Sequence, residues 1–576
     1  MGIYIRLYHM NLYCILFLLL VANGTMAQKV MPENLGPKTK TYWDANNRRI
    51  SGSGSYYVDE IVNQTSEKHG KWVFYSLDGI LEEERYFYRN RMHGKQTTYF
   101  PNKQIKQQYF ASFNVPDSMF KEFNEQGTLI ILGNYNLGSP EGKWEYFYAD
   151  SSLWKEEYVS NDTTYLLNYF EEDSVHKQTV VNGDGKVNTY YSSGGLKESY
   201  TFSNGLKDGA FIERLASGKA SIEGGFLKGK KQGTWTFYFP NGTIEKQLHY
   251  NQDSLDGPYI VYFENGVIQT EGSYALGLKE GQWVWRKADG GIDMQGGFIA
   301  NNQNGPWEYY YSSGELSYKA NFDNGKKSGE WNYFYKDGTP FKKGDYLNDL
   351  KTGKWSTWYE DGTLLLEGVY LQGLEEGEWK NYWPNGRLKN QSYFKRGKLN
   401  GAWYSFSPEG KLLLFGRYKQ DNKKGKWTEF YNNGNKKEEV CYKIKTLKNA
   451  NNDVVVLGFK ESQSVEHGPY KAYSQVDFKL KETGKYNKGR KTGKWINYYP
   501  GGIVPAVVSN FKNGLLNGEF YQNDRRGNKM NEIHYKKGLK DGWFIVYGNN
   551  GKPIVQKLFR NGHEMRKITN EPFSPD

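Results

Sequence analysis

Cysteine is nearly absent: Cys14 and Cys441 are the only two in 576 residues. They cannot form a disulfide framework, so cross-links are excluded as a source of stability. Aliphatic bulk is also short. Only 37% of residues are hydrophobic, while 48 tyrosines, 31 phenylalanines and 17 tryptophans bring the aromatic share to 17%. A layered core of Leu, Ile and Val is therefore not expected, and the aromatic content excludes a disordered chain. Charge of one sign is not concentrated. The net charge of +12 is a small excess of 76 Lys+Arg over 64 Asp+Glu, interleaved along the chain, so the basic stripe of a nucleic-acid binder is missing.

Long apolar runs are absent after the first residues. Arg6 precedes the run 12–21, and Thr25-Met26-Ala27 places small residues before Gln28. This is the pattern of a secretory signal peptide over residues 1–27, with a run too short for a comfortable bilayer span. The expected location is therefore exported: periplasm, cell surface or extracellular. Residues 28–64, with Pro32, Pro37 and the run Ser51-Gly52-Ser53-Gly54-Ser55, read as a flexible lead-in with a degenerate hairpin around Tyr42-Trp43.

What the sequence has in abundance is glycine at a fixed interval. From Gly209 an anchor glycine followed by an aromatic residue recurs every 24 residues at Gly233, Gly257, Gly281, Gly305, Gly329, Gly353, Gly377, Gly401 and Gly425. Gly70, Gly94, a degenerate Ser118, Gly142 and Gly185 precede this series, and Gly468, Gly493, Gly518 and Gly542 follow it, giving 19 anchors. Two gaps of 43 residues, Gly142 to Gly185 and Gly425 to Gly468, are each expected to hide a shortened unit, at 165–170 and 454–459. The divergent units thus lie near 160–182 and 443–466. The array of about 20 units covers residues 65–562, and 563–576 read as a frayed tail.

One unit is legible in Gly329-Glu-Trp-Asn-Tyr-Phe-Tyr-Lys-Asp-Gly338, followed by a second run ending in Tyr346. An Asp-Gly or Asn-Gly pair between β-prone runs predicts a hairpin whose two central residues both have positive φ. The fold class expected is all-β: an elongated single-layer antiparallel solenoid of consecutive hairpins.

Alternation along the strands divides the rings between two faces. Trp235, Trp283, Trp307, Trp331, Trp355, Trp379, Trp403 and Trp427 stand two residues after the anchor and are expected to form a covered structural row. Tyr238, Tyr310, Phe334, Trp358, Tyr382 and Phe430, three residues later, project to the other face and are the candidate binding surface.

The unit resembles the MORN repeat in its bacterial variant form, as Gly353-Lys-Trp355-Ser-Thr-Trp358-Tyr359-Glu-Asp-Gly362 with Tyr370 and Gly373 shows, and as Gly377 to Gly386 with Phe394 and Gly397 repeats. The resemblance implies an extended hairpin sheet used in protein contacts, assembly and sometimes membrane association. Some bacterial members are labelled antitoxin-like, a label that does not suit an exported chain. The choline- and glucan-binding repeats of bacterial surface proteins are similar too, but their unit is shorter and lacks the regular Tyr/Phe of the second strand.

No catalytic or metal signature appears. His69, His93 and His467 each stand just before an anchor, a slot filled elsewhere by Gln232, Glu280, Asn304 or Thr352, which reads as a solvated turn position. Gly-Lys pairs such as Gly353-Lys354 lack phosphate-loop spacing. Lys230-Lys231, Lys326-Lys327, Lys423-Lys424, Arg490-Lys491 and Lys536-Lys537 line the inter-repeat turns, where they keep the turns soluble or attract an anion. The function expected is a non-enzymatic binding scaffold with no cofactor and no metal, taking a protein partner. A cell-envelope glycan and an anionic membrane surface are the alternatives, and nucleic acid is not expected.

Overall fold

The computed structural model describes residues 33–61, 63–173, 175–446 and 462–569. The leader 1–27, the segment 454–459 and the last residues of the tail lie outside the described residues. Among the described residues there are 47 strands and no helix. The chain divides into two compact units, one ending at Gly257 and the other beginning at Pro258. Within each unit, strands that follow one another in sequence pair antiparallel.

Each repeat is one hairpin. Strand Leu350–Trp358 pairs with Leu364–Leu371 from Gly353↔Tyr370 to Trp358↔Leu364, and Leu364–Leu371 then pairs with Leu374–Tyr382 of the next repeat. Trp355↔Gly368 and Thr357↔Leu366 share one face of this sheet, while Ser356↔Glu367 and Lys354↔Val369 share the other.

The two turn types are the reverse of the sequence expectation. At the Asp-Gly pair only the glycine has positive φ, as at Gly338 (84°), with Gly338 N–H closing onto Tyr335 O (3.0 Å) and Tyr335 N–H onto Thr339 O (2.8 Å). This is a three-residue loop ending in a glycine bulge. The two-residue turn with both central residues at positive φ lies between repeats instead, as at Asn324 (47°) and Gly325 (80°). The first loop tolerates an ordinary residue before its glycine because that residue stays right-handed, so the dipeptide alone did not specify the turn.

The lead-in is also ordered where flexibility was expected. Leu35–Tyr42 and Ile50–Asp59 pair as strands, and Ile50–Asp59 pairs onward with Asn63–Tyr75. The Ser-Gly run is strand because Gly54 lies against the Trp72 ring, leaving no room for a side chain. At the other end His563–Thr569 is a paired strand rather than frayed tail, completing a hairpin with Pro553–Arg560. Around the second gap, Lys436–Thr446 and Ser462–Tyr473 form a longer pair that extends the regular hairpin. In the first gap, Thr163–Phe170 and the four-residue strand Gln178–Val181 form a truncated one.

Candidate interaction face

The tryptophan row begins with backbone geometry. Gly353 has φ +65°, a conformation that costs any other residue strain, and here the pairing register shifts: Asp345↔Thr352 and Lys343↔Ser356 leave Gly344 opposite the bulge. The bulge swings Trp355 over Gly344. A Cβ on Gly344 would lie under 3.0 Å from the indole, and the same holds for Gly224 with Trp235, Gly272 with Trp283, Gly296 with Trp307, Gly368 with Trp379 and Gly416 with Trp427. Two kinds of glycine thus serve one tryptophan, one for its φ and one for its missing side chain. Ser118, at an anchor position, keeps φ at +66° without being glycine.

The second-strand rings complete the row. Tyr370 meets Trp355 at 6.0 Å and Trp379 at 5.0 Å, both nearly perpendicular, and Phe298 and Phe322 meet their neighbouring tryptophans in the same way. Edge-to-face pairs of this kind contribute beyond the area they bury. Trp235, Trp283, Trp307, Trp331, Trp355, Trp379 and Trp427 are accordingly buried, with Trp283 only 1% exposed. Trp403 departs from the expectation and is half-buried. Ser392 occupies the glycine position opposite it, and among the described residues the one ring that Trp403 meets is Tyr418, at 5.7 Å.

Lysines close over this row. One member of the inter-repeat basic pairs lies on the rings: Lys231 on Trp235 (4.5 Å), Lys327 on Trp331 (4.7 Å), Lys423 on Trp427 (4.5 Å) and Lys491 on Trp495 (3.8 Å). Lys279 and Lys351 do the same on Trp283 and Trp355. These side chains are therefore caps, with apolar stems along the rings and the ammonium over them.

The slot before the anchor also has a role that the sequence reading missed. Its side chain accepts the N–H of the turn residue 20 positions on: Gln232 from Gln252, Glu280 from Ala300, Asn304 from Asn324 and Glu376 from Arg396. The slot selects an acceptor and is not an indifferent solvated position. His69 shows this most strongly. It is fully buried, donates from Nε2 to Glu33 O (2.9 Å) and accepts Arg89 N–H at Nδ1 (3.3 Å). His467 Nδ1 accepts Lys488 N–H, and His93 stacks on Phe113 at 4.6 Å.

The opposite face carries Tyr238, Tyr310, Phe334, Trp358, Tyr382 and Phe430, all half-buried. Three are fixed by carboxylates: Tyr238 OH donates to Glu223 (2.9 Å), Tyr310 to Glu308 (2.8 Å) and Tyr382 to Glu367 (2.7 Å). The carbonyls of Phe334, Trp358 and Tyr382 accept the hydroxyls of Tyr311, Tyr335 and Tyr359, which tie each hairpin tip to the next. Between the rings stand Lys319–Glu308 (2.9 Å), Lys343–Glu330 (2.7 Å), Lys354–Glu367 (2.8 Å) and Lys380–Glu378 (2.8 Å). The Lys319 ammonium, with the Gln295 amide and the Tyr310 hydroxyl, holds the Glu308 carboxyl down to about 2. Burial pushes the Tyr382 hydroxyl up, and Glu367 pushes it further.

Seven segments, residues 92–110, 231–252, 255–275, 303–324, 351–372, 375–396 and 423–443, match the family described as the MORN repeat variant. Each contains one anchor glycine, so the seven matches fall in phase with the spacing of this chain. No curated protein matches the chain. Among solved structures, a complex titled TcdB2-TccC3-Cdc42 is 10% identical, with 88% of this chain and 30% of that one covered at a TM-score of 0.13. The Tc holotoxin pore of Photorhabdus luminescens is 12% identical, with 89% and 32% covered at 0.10. The chain spans about a third of the length of these matched chains, and scores this low say nothing of its function.

Proposed function

We propose that this MORN-repeat chain is an exported, non-enzymatic scaffold that binds a protein partner through the face bearing Tyr238, Tyr310, Phe334, Trp358, Tyr382 and Phe430. The observation that carries the reading is the contrast between the two faces. The tryptophan row is buried under lysines, which leaves it no surface to offer. The opposite rings keep part of their area in solvent; the three tyrosines are fixed through their hydroxyls, and the backbones of Phe334, Trp358 and Tyr382 through their carbonyls. Rigid aromatic anchors flanked by polar groups bind with little ordering cost. Each pair of the Lys–Glu ladder between them adds only modestly to stability in solvent, and the ladder sets a charge pattern that a complementary partner reads. Export rests on the leader pattern at residues 1–27.

The test is capture from an envelope fraction by the chain beginning at Gln28, in wild-type form and as the triple variant Phe334→Ala, Trp358→Ala, Tyr382→Ala, with Trp331→Ala as control. A partner that the wild type and, below its melting midpoint, Trp331→Ala both retain, and that the folded triple variant loses, supports the reading. Equal capture by the triple variant refutes this face.

A further inference from the structure

Val187 stands where the repeat places tryptophan, two residues after the anchor Gly185, and Tyr200 rather than glycine lies opposite it. The strand before it, Gln178–Val181, is only four residues long. The row of indoles therefore breaks between Trp144 and Trp235, and with the tryptophan missing the sheet face opens into a cavity of about 780 Å³. Leu166 and Val187, both buried, border it, and the rings of Trp154, Tyr169, Tyr200 and Phe202 line it. Two backbone bonds brace it across the short strand, Leu166 N–H to Gly205 O (2.8 Å) and Gly205 N–H to Gly183 O (2.9 Å). The site is preformed and of a size that suits a small ligand or the end of a larger one.

The lining is neither purely apolar nor electrically balanced. Lys155 is paired with Glu157 at 2.5 Å. That leaves Lys207, Lys228 and Lys230 facing the single carboxylate of Asp162. Lys207 is the key group. Its Nζ sits 3.8 Å from the centre of the Tyr200 ring and 5.3 Å from that of Phe226, and it forms no ion pair among the described residues. Burial pulls its ammonium below the usual lysine range and the nearby Glu198 carboxylate offsets this only in part, the behaviour of a cation taken partly out of water with too little counter-charge. Thr164 and Tyr165 also border the cavity, and their hydroxyls have no hydrogen-bond partner among the described residues. Ring faces beside free hydroxyls suit a polyol, whose C–H face packs on an aromatic plane while its hydroxyls exchange hydrogen bonds. Lys207, which has the Glu198 charge nearby but no carboxylate within ion-pair distance among the described residues, adds a demand for negative charge.

We propose that this cavity binds an acidic sugar unit, a carboxylate-bearing pyranose within a glycan, with the ring on the aromatic wall and the carboxylate received by Lys207. The site is independent of the protein-binding face argued above and can fail or hold separately.

Isothermal titration of the full chain with three uronate trisaccharides (galacturonate, mannuronate and guluronate), and with uncharged maltotriose, tests it. At least one uronate binds the wild type and maltotriose at least tenfold more weakly. Lys207→Met, which keeps the stem but removes the charge, weakens the uronate at least tenfold, and Val187→Trp, which fills the cavity, removes binding. Because Val187→Trp meets Tyr200 and can fail to fold, Lys207→Met decides the matter. No binding of any uronate by the wild type overturns the proposal, as does equal binding of maltotriose or unchanged uronate affinity in Lys207→Met.

Discussion

The indole of Trp355 lies on the bare backbone of Gly344, 11 residues earlier and in the preceding hairpin, at a separation that excludes even a methyl group. The contact joins adjacent repeats, and its counterparts at Gly368 with Trp379 and Gly296 with Trp307 give each hairpin its grip on the next. A sheet with no second layer has few other ways to bury apolar surface, so this is where the stability of the array resides.

A double-mutant cycle measures the grip. Gly344→Ala alone overpacks the ring and costs about 1–3 kcal/mol. Trp355→Ala alone costs toward about 3 kcal/mol, the low end for a buried large aromatic, since the covering layer is thin. In the Trp355→Ala background the added methyl meets no ring, so the penalty of Gly344→Ala disappears and the two changes are strongly non-additive. Additive losses in denaturant melts would show that the two residues do not press on one another.

The lysine caps give a second prediction. Lys351 lies 4.7 Å from the Trp355 ring and 4.8 Å from Tyr370, whereas Glu375 fills the equivalent slot beside Trp379. Lys351→Glu therefore destabilises by about 0.5–1 kcal/mol and Glu375→Lys stabilises by a similar amount. Thermal melts of the two single variants check the opposite signs. A shift in the same direction for both contradicts the cap.

The acid limb of the pH dependence follows from the other face. The Glu308 carboxyl is depressed from 4.5 to about 2 by Lys319 first, then by Gln295 and Tyr310. Glu330, Glu367 and Glu378 are also lowered, by the Asn332 amide and Lys343, by Lys354, and by Lys380. A depressed carboxylate contributes stability that is complete above its unfolded value and lost as pH falls through its folded one, so the melting temperature declines between about pH 4.5 and pH 2. At the alkaline end burial raises the Tyr318 hydroxyl from 10.0 to about 12. That contribution is complete below pH 10 and lost as pH rises through 12. Melting curves across both ranges test the acid and alkaline limbs, and ultraviolet titration should show a late-ionising set of tyrosines.

Much of the repeat was legible because a 24-residue period with fixed glycines leaves few alternatives to a hairpin array, and strand alternation assigned Trp331 and Phe334 to opposite faces. What stayed hidden were relationships between repeats. Gly344 reads as a strand glycine with no evident purpose until Trp355 is seen above it. The signal was present as a glycine two positions before many second-strand rings, as in Gly344-Asp-Tyr346, Gly368-Val-Tyr370 and Gly416-Arg-Tyr418. The slot of Gln232, Glu280 and His69 looked indifferent because its members differ in charge and size. What they share is an acceptor atom, and its donor lies 20 residues away. Val187 was one more apolar residue in an aromatic slot. Only the missing ring, with Tyr200 and Lys207 beside it, marks that place as a cavity.

The central claim is that the continuous tryptophan row is sealed and the opposite rings are open, and hydroxyl-radical footprinting of the free chain tests it most directly. Trp283, Trp307, Trp331 and Trp355 are at most 4% exposed, while Trp358 and Tyr382 keep partial exposure. The account predicts measurable oxidation at Trp358 and Tyr382, and almost none at the four row tryptophans until the chain unfolds. Oxidation of Trp307 or Trp355 at the rate of Trp358 in the folded chain would contradict it.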